Sequence, residues 1–230
     1  MESLTEQVTL ITGVTGGLGR AVAKAFLEAG ATVVGVSPDM AAPGENARFL
    51  PLAADVSTPG GAAQAMQGAL ARTGRVDALI HLVGGFAGGQ NVAETSDETW
   101  LHMLDLNLNT AFYAARAVLP HMLAARRGRI VAVGSRAGVE PAAGLSAYGV
   151  SKAALIALVR TIAAEVRDSG VTANVVLPSV IDTPANRSAS PGADASKWVK
   201  PESIAALLVW LASGAAADVN GAVIPIYGRA

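Results

Sequence analysis

Short apolar runs alternate with longer amphipathic stretches along the whole chain. The apolar runs are rich in β-branched residues and predict strands at residues 8–11, 32–36, 49–53, 76–83, 130–133, 171–177 and 223–226. Between them, apolar residues recur at helical spacing and predict helices at 18–29, 58–72, from 95 onward, 148–167 and 201–211. Strict alternation of strand and helix indicates an α/β fold, with one doubly wound parallel sheet and helices on both faces.

Local signals set several of the predicted helix ends. Thr58 followed by Pro59 predicts an N-cap with proline in the first turn. Thr95 and Glu98 stand at capping-box spacing and predict the start of the next helix, in which Pro120 predicts a kink or an end. Residues 185–200 show little apolar periodicity apart from one tryptophan. We therefore expect an irregular substrate lid at about 184–200, mobile without ligand.

Composition limits the classes of function that this chain can have. A length of 230 residues and a hydrophobic fraction of 51% suit one α/β domain with a large core. A net charge of −1 leaves no basic footprint for nucleic acid, and the absence of cysteine excludes disulfides and thiolate metal sites. The amino terminus resembles no leader, and no charge-free stretch reaches the roughly 18 residues of a membrane span. We expect a cytoplasmic protein with a small-molecule substrate and with no nucleic-acid partner, membrane or metal.

A glycine-rich turn separates the first predicted strand from the first predicted helix. It runs Thr-Gly-Val-Thr-Gly-Gly-Leu-Gly over residues 12–19. This order suits a dinucleotide, because glycines admit the pyrophosphate and the helix amino terminus offers free N–H groups. A flexible turn is the competing interpretation. The pattern favours a single Rossmann-like NAD(P)-binding domain over residues 1–230, with candidate contacts at Thr12, Gly13, Thr15, Gly17, Leu18 and Gly19.

The ends of the second and third strands bear on the adenosine half of such a cofactor. An acid at the second would bind the ribose hydroxyls and favour NAD, but Ser37 stands there and Asp39 comes two residues late. No Arg or Lys adjoins Ser37 to hold a 2′-phosphate. NAD and NADP both stay open, with a slight lean to NADP because no carboxylate repels the phosphate. Asp55, beside Val56, would bond the adenine edge or cap a turn.

Four glycines follow the fourth predicted strand, in the segment Gly-Gly-Phe-Ala-Gly-Gly at residues 84–89. Close approach to a ligand and a plain mobile loop both explain them, and Phe86 would stack on a planar ring or cover the core. Asn107 stands among apolar residues of the next helix, so we expect it to be buried and to need partners. It would mark a helix bend or position a water beside Lys152.

Ser135, Tyr148 and Lys152 carry a recognisable chemical pattern. Tyr148 and Lys152 are four apart in a predicted helix and share a face, and the loop from Ser135 can fold back over them. A phenol has a pKa of about 10, and a nearby ammonium lowers this pKa because it favours the phenolate. A serine hydroxyl can hold a carbonyl oxygen where the phenol protonates it. An ordinary amphipathic pair on a helix surface is the alternative.

Over essentially its whole length the chain resembles the short-chain dehydrogenase/reductase family. The glycine turn matches the cofactor motif of that family, and Asn107, Ser135, Tyr148 and Lys152 match its catalytic tetrad, including the thirteen-residue step from Ser to Tyr. Two departures concern residues 81–84, His-Leu-Val-Gly where Asn-Asn-Ala-Gly is usual, and residues 178–179, Pro-Ser where Pro-Gly is usual.

The resemblance implies an enzyme that transfers a hydride with NAD or NADP, in a homodimer or homotetramer. Tyr148 would donate the proton, Ser135 would orient the substrate oxygen, and Lys152 would lower the pKa of Tyr148 and hold the nicotinamide ribose. Asn107 would position a water that returns the proton. The remaining cofactor contacts that the resemblance implies are Gly84, Gly85, Pro178, Ile181 and Thr183.

A second, local resemblance is to quinonoid dihydropteridine reductases. The loop at 84–89 and the segment from residue 182 to Trp198 are similar to theirs, but those reductases lack the Ser and Asn of the tetrad and carry an Asp at the second strand. The chain therefore combines such a frame with a complete carbonyl-reduction tetrad. We expect a small planar or cyclic substrate that contacts Phe86, Arg187 and Trp198. A quinonoid dihydropteridine reductase proper and a non-catalytic dinucleotide sensor are the alternatives.

Overall fold

Seven parallel strands form one sheet at the centre of the protein. The computed structural model describes residues 3–40 and 46–229, and the statements below refer to these. The strands are β1 (Val8–Thr12), β2 (Thr32–Ser37), β3 (Phe49–Ala53), β4 (Ala78–His81), β5 (Gly128–Val133), β6 (Val171–Pro178) and β7 (Val223–Ile226). Their order is β3-β2-β1-β4-β5-β6-β7, and all neighbours are parallel. The predicted doubly wound α/β fold is confirmed.

Helices cover both faces of the sheet, as its apolar strands require. They are α1 (Gly17–Glu28), α2 (Pro59–Thr73), α3 (Asp97–Leu104), α4 (Thr110–Ala124), α5 (Ser146–Glu165), α6 (Pro184–Ala189) and α7 (Pro201–Ala212). One core cluster joins Met66 of α2, Val118 of α4 and Leu155 of α5 to the sheet. A second joins Phe26 of α1 and Leu208 of α7 to the opposite face. The strand order reverses between β1 and β4, so their carboxyl ends flank a crevice.

A turn of π-helix joins α3 to α4 at Asp105–Asn109. It widens what the sequence predicts as one continuous helix. Asn107 lies in this turn and is fully buried. Single π-turns inside helices recur at functional sites, because the extra residue redirects a side chain. The irregularity that Asn107 suggested is therefore present, and it faces the protein interior.

Two predicted element ends are wrong. The fourth strand is shorter than 76–83, and the Val76 N–H bonds to the His121 ring at 3.3 Å instead of a neighbouring strand. Ser96 caps α3 by accepting from the Thr99 N–H at 3.1 Å, while the Thr95 hydroxyl bonds to Ser146. Tertiary contacts of Val76 and Thr95 accompany both differences. Pro120 lies inside α4, which continues to residue 124, so of the predicted kink or end the end is excluded.

The lid is more ordered than the sequence pattern predicts. Residues 184–189 form α6, and Ala195–Lys197 form a turn of 3₁₀-helix. Thr183 caps α6 by accepting a hydrogen bond from the Asn186 N–H at 3.2 Å, and Pro184 occupies its first position. This Thr-Pro start repeats the signal at the amino end of α2, so the sequence contained it.

Helix α5 is long and apolar enough to cross a membrane by length and composition alone, with a mean hydropathy of 1.3. A core helix passes the same test, and 44% of its apolar window is buried in the protein. Leu155 and Val159 pack into the core beneath the sheet, and the charged Lys152 lies on the same helix. We assign α5 to the core of the fold.

Candidate active site

The crevice between β1 and β4 gathers the residues that the sequence singled out. Thr12 ends β1 and His81 ends β4, and the two are register partners. Their side chains hydrogen-bond, with 2.9 Å between Thr12 Oγ1 and His81 Nδ1. The ends of β5 and β6 open at the same edge, because all strands are parallel. The loops that follow these four strands therefore meet at one place.

The glycine turn leaves the amino terminus of α1 open. Gly16 is the N-cap and provides no side-chain hydrogen bond, so the first-turn N–H groups stay available. A Cβ on Gly17 would lie 3.0 Å from Cγ2 of Thr183, and one on Gly19 would lie 2.3 Å from the Gly13 carbonyl oxygen. Position 19 therefore requires glycine, and at position 17 a larger residue would have to displace the Thr183 methyl group. The free N–H groups of this turn and the helix dipole fit the pyrophosphate of a dinucleotide.

The end of β2 lies against the glycine turn. The hydroxyls of Thr15 and buried Ser37 are 3.0 Å apart, although 22 residues separate them in sequence. Arg20 reaches back to donate to the Thr15 carbonyl oxygen at 3.1 Å. A cation therefore lies near the candidate ribose position, and sequence reasoning missed it because Arg20 is distant from Ser37 along the chain. In the sequence, the signal for this cation is the arginine that directly follows the last glycine of the turn.

Asp55 caps a turn at the end of β3. Its carboxylate accepts from the Ser57 N–H at 2.9 Å, and hydrogen bonds from Ser57 lower the pKa of the carboxyl. The side chain is exposed, whereas Val56 is buried. Of the two interpretations left open, the turn cap is present in the structure. A contact of Asp55 with adenine stays a prediction.

Ser135 and Tyr148 are brought together as the sequence predicts. Ser135 ends the segment after β5, is buried, and accepts from the Ala137 N–H at 3.2 Å to begin a short 3₁₀ turn. Tyr148 lies in the first turn of α5, and its phenol is near enough to the Ser135 hydroxyl for that hydroxyl to lower the phenol pKa. The two hydroxyl groups therefore present one polar spot at the edge of the crevice.

Lys152 lies one turn further along α5 and is buried. Its Nζ donates to the Val133 carbonyl oxygen at 3.1 Å. A Cβ on Gly84 would lie 3.0 Å from this Nζ, so glycine keeps the space beside the ammonium open. Burial lowers the pKa of Lys152 to about 8. The site thus holds a buried cation whose charged form is destabilised by desolvation. The space beside this cation has room for a polar ligand.

The expected lowering of the Tyr148 pKa is wrong for this structure. Burial raises the pKa of Tyr148, and the nearby Ser135 hydroxyl offsets part of that rise. The ammonium of Lys152 is held by the Val133 carbonyl instead of by the phenol. Tyr148 is therefore a protonated phenol at neutral pH.

Asn107 connects the π-helical turn to two other parts of the site. Its Oδ1 accepts from the Gly85 N–H at 3.0 Å, and its Nδ2 donates to the Gly85 carbonyl oxygen at 3.2 Å. Nδ2 also donates to Ser151 Oγ at 3.0 Å, and Ser151 donates to the Tyr148 carbonyl oxygen at 2.8 Å. Asn107 therefore fixes the glycine loop and α5 in one arrangement. One lone pair of Oδ1 remains beside Gly84.

The glycine loop at 84–89 places an aromatic ring over Tyr148. The rings of Phe86 and Tyr148 meet edge to face, with centroids 5.0 Å apart. Phe86 is nevertheless 67% exposed. The Gly89 N–H donates to the Gly144 carbonyl oxygen at 2.8 Å, which ties the loop to the segment before α5. Phe86 therefore lines the crevice and does not cover the core.

The lid follows β6 and is closed at its base by ion pairs. Asp182 binds the guanidinium of Arg187 through both carboxylate oxygens and the ammonium of Lys200. These cations hold the pKa of Asp182 well below its usual range. Arg187 is thus a paired cation, and its predicted contact with a substrate stays a prediction. Its charge is largely balanced before any ligand binds.

Trp198 is only 8% exposed and already packs down in this structure. The predicted mobile lid would leave this side chain exposed, whereas the structure buries it; its contact with a substrate stays a prediction. Neighbouring Val199 pairs with Ile181, which anchors the end of the lid to the segment after β6.

Three further predicted cofactor contacts lie near the glycine turn or the end of β6. Pro178 ends β6, and Leu18 is half-buried in the first turn of α1. Thr183 contacts Gly17 and so joins the lid to the glycine turn.

Comparison with known proteins identifies relatives over nearly the whole chain. The sequence profile of the family described as short chain dehydrogenase matches residues 7–194. The short-chain dehydrogenase/reductase olcF of Penicillium canescens is 32% identical, over 98% of this chain and 97% of that protein. The 2,3-dihydro-2,3-dihydroxybenzoate dehydrogenase of Escherichia coli is 34% identical, over 91% of each chain.

A solved structure has the same fold along its length. The 3-ketoacyl-(acyl-carrier-protein) reductase of Brucella melitensis, crystallised with NADH, superposes with a TM-score of 0.89. It is 26% identical and the match covers 98% of both chains.

Proposed function

This chain belongs to the short-chain dehydrogenase family, and on that premise we propose that it reduces a carbonyl or quinonoid group with NADH or NADPH. The observation that carries the proposal is the proximity of the Ser135 and Tyr148 hydroxyl groups beside buried Lys152. The pair lies at the switch-point crevice, next to a glycine turn that fits a pyrophosphate. The substrate in this proposal is small and planar or cyclic.

Tyr148 is the proton donor in the proposed reaction. The phenol is protonated at neutral pH and so has a proton to give, although its raised pKa makes it a weaker acid than a free tyrosine. The Ser135 hydroxyl, beside the phenol, holds the substrate oxygen in place. Reduction builds negative charge on the oxygen, and two hydroxyl donors at fixed positions stabilise it.

Lys152 and Asn107 supply charge and order around the donor. After proton transfer, the ammonium of Lys152 would have to oppose the rise in the Tyr148 pKa that burial causes if it is to stabilise the phenolate. Lys152 Nζ would also bind the ribose hydroxyls in the space that Gly84 keeps open. Asn107 holds Gly85 and, through its free Oδ1 lone pair, would position a water that returns the proton to Tyr148.

The cofactor is NAD or NADP, as in the NADH-bound reductase of similar fold. When bound, its nicotinamide supplies the hydride. The N–H groups at the start of α1 would hold the pyrophosphate, and Thr183 would contact the nicotinamide half from the lid side. Ser37 and Arg20 favour NADP, because no carboxylate adjoins Ser37 and Arg20 brings a positive charge to Thr15.

The proposed substrate class follows from Phe86. An exposed aromatic ring beside Tyr148 offers a flat apolar wall to a planar or cyclic substrate. A long acyl chain is the competing class, since one relative reduces 3-ketoacyl groups on acyl carrier protein. The local resemblance of residues 84–89 and 182–198 to quinonoid dihydropteridine reductases supports a quinonoid substrate. That finer assignment stays a prediction.

We also propose that the chain forms a homodimer or homotetramer. Large apolar side chains are exposed on neighbouring helices, namely Leu101 on α3, Phe112 and Leu123 on α4, and Val150 on α5. Their burial between copies would stabilise an oligomer. Light scattering on the purified chain measures the mass directly, and a monomer at micromolar concentration would contradict this part of the proposal.

One assay separates an enzyme from a dinucleotide sensor. NADPH and NADH oxidation are followed against a panel of cyclic ketones, quinones, quinonoid pterins and 3-oxoacyl thioesters. We expect turnover, with cyclic and quinonoid compounds ahead of acyl thioesters. Tight cofactor binding without turnover on any member of the panel would support the sensor and sink the enzymatic proposal.

A further inference from the structure

His81 is a buried titratable group that the proposed mechanism leaves unused. It ends β4 at the switch point, where its ring lies between two threonines. Nδ1 is 2.9 Å from Thr12 Oγ1, and Nε2 is 3.2 Å from Thr110 Oγ1. Thr12 begins the glycine turn, and Thr110 directly follows the π-helical turn that carries Asn107.

The neighbours of His81 fix where its proton lies. Thr110 Oγ1 donates to the Leu106 carbonyl oxygen at 2.8 Å, and a carbonyl can only accept. The hydroxyl hydrogen of Thr110 is therefore used, and its oxygen can only accept from His81. Nε2 of His81 must then carry a hydrogen. Burial and the nearby charge of Lys152 lower the pKa of His81 to about 3, so the ring is neutral and Nδ1 accepts from the Thr12 hydroxyl.

These bonds form a buried polar path across the crevice. It runs from Thr12 through His81 to Thr110, and the last bond, to Leu106, lies inside the π-helical turn. From the same turn, Asn107 reaches Gly85 and Ser151. Ser151 donates to the backbone of Tyr148. The path therefore connects the first residue of the cofactor turn to the helix that holds the candidate proton donor.

We propose that His81, as the neutral Nε2–H tautomer, is a positioning residue that sets Asn107 and the glycine loop relative to the cofactor turn. The consequence for turnover rests on the proposed function; the tautomer and the loop geometry do not. A misplacement of about 1 Å in a reacting group can cost about 100-fold in rate, so a shift of the π-helical turn is enough to matter.

The tautomer is tested by nitrogen NMR on the uniformly ¹⁵N-labelled protein without ligand. The chain has three histidines, and the signals that disappear in His81→Asn identify His81. We expect one protonated nitrogen, Nε2, and one bare nitrogen, Nδ1, at neutral pH. A proton on Nδ1, or on both nitrogens, would overturn the proposal without any reference to activity.

The positioning role is tested at Thr110 with a matched pair of variants. Thr110→Val removes the acceptor for His81 and keeps the shape, whereas Thr110→Ser keeps the hydroxyl. We expect Thr110→Val to lower kcat roughly ten- to hundredfold, with cofactor Kd changed less than about twofold. Thr110→Ser should stay close to the parent protein in both quantities.

A second readout does not need turnover. The Gly85 N–H bonds to Asn107 Oδ1, so its hydrogen exchange reports the position of the π-helical turn. Exchange at Gly85 should accelerate at least about tenfold in Thr110→Val and little in Thr110→Ser. If Thr110→Val lowered the melting temperature but left both kcat and Gly85 exchange unchanged, His81 would be a packing residue only. An inactive parent protein with the expected exchange pattern would contradict the proposed function but would support the positioning role of His81.

Discussion

The ring of Phe86 meets the ring of Tyr148 edge to face, with 5.0 Å between the centroids. Sixty-two residues separate the two in sequence, and one lies in a glycine loop while the other begins α5. Because Phe86 stays two-thirds exposed, the contact places an open apolar wall directly beside the proposed proton donor. It is the feature that most narrows the substrate class.

Replacing Phe86 tests this wall. Phe86→Ala should raise KM for cyclic and quinonoid substrates roughly tenfold, because the planar contact is lost, and should change KM for short acyclic ketones little. Phe86→Tyr, which keeps the ring, is the matched control. Steady-state kinetics on both substrate classes measure the difference. An unimpaired Phe86→Ala variant together with a preference for long-chain 3-oxoacyl thioesters would show that the pocket is built differently.

Removing the phenol hydroxyl tests the proton donor. Tyr148→Phe keeps the ring that Phe86 packs against and loses only the proton transfer, a step typically worth about 10²–10⁴-fold. We expect kcat to fall by that range while cofactor Kd, measured by NAD(P)H fluorescence, stays within about twofold. Ser135→Ala should lower kcat by less, since the phenol remains. A Tyr148→Phe variant with the parental rate would refute the assignment.

The pH dependence of reduction should report Lys152. Its pKa is lowered to about 8, so the ammonium is charged below that pH and loses its proton above it. We expect kcat/KM to be level below about pH 8 and to fall above it. An unfolded lysine keeps its proton to about 10.5, so this group also makes the folded state gain stability as pH rises from about 8 to 10.5.

A guanidinium stays charged throughout this range, so Lys152→Arg is the control for that pH profile. Any activity that the variant keeps should lose the fall above pH 8. A parent profile that stays level to pH 10 would show that the charge of Lys152 does not limit the reaction.

Cofactor preference should respond to the end of β2. Ser37→Asp places a carboxylate beside Thr15 and should move preference toward NADH by roughly tenfold in kcat/KM, because it repels a 2′-phosphate. Arg20→Ala should raise KM for NADPH more than for NADH, and Lys24→Ala, on the same helix, is its control. Equal efficiency with both cofactors in parent and variants would mean that Ser37 does not face the ribose.

The ion pairs at the base of the lid should hold it in place. Asp182→Asn keeps the size of the side chain and removes the charge that binds Arg187 and Lys200. We expect faster proteolysis within residues 185–200 and a raised substrate KM, while helix α5 keeps its protection from hydrogen exchange. Asp194→Asn, which removes a carboxylate charge 3.9 Å from Lys197 and keeps a side-chain oxygen for the Ser196 N–H, is the comparison. High salt should reproduce part of the effect in the parent protein.

Local pattern was sufficient for most of the fold. Apolar runs and helical spacing predicted each strand of the sheet within a few residues, because the pattern of apolar residues along a strand or helix is a local property. The glycine turn was also predictable, since a strand, glycines and a helix in that order leave few conformations. Thr183-Pro184 carries the same helix-start signal as Thr58-Pro59. Helix α6 was nevertheless not predicted, because the surrounding segment lacks apolar periodicity.

The sequence by itself determined the doubly wound parallel sheet and the glycine turn. It also determined that Tyr148 and Lys152 share a helix face, because four residues separate them. Only the tertiary structure decided which partners the polar groups take. It paired Arg187 with Asp182, brought Arg20 to Thr15, set His81 between Thr12 and Thr110, and raised the pKa of Tyr148 by burial. The reason is physical: the choice of partner and the cost of desolvation depend on groups far apart in the chain, which no local pattern encodes.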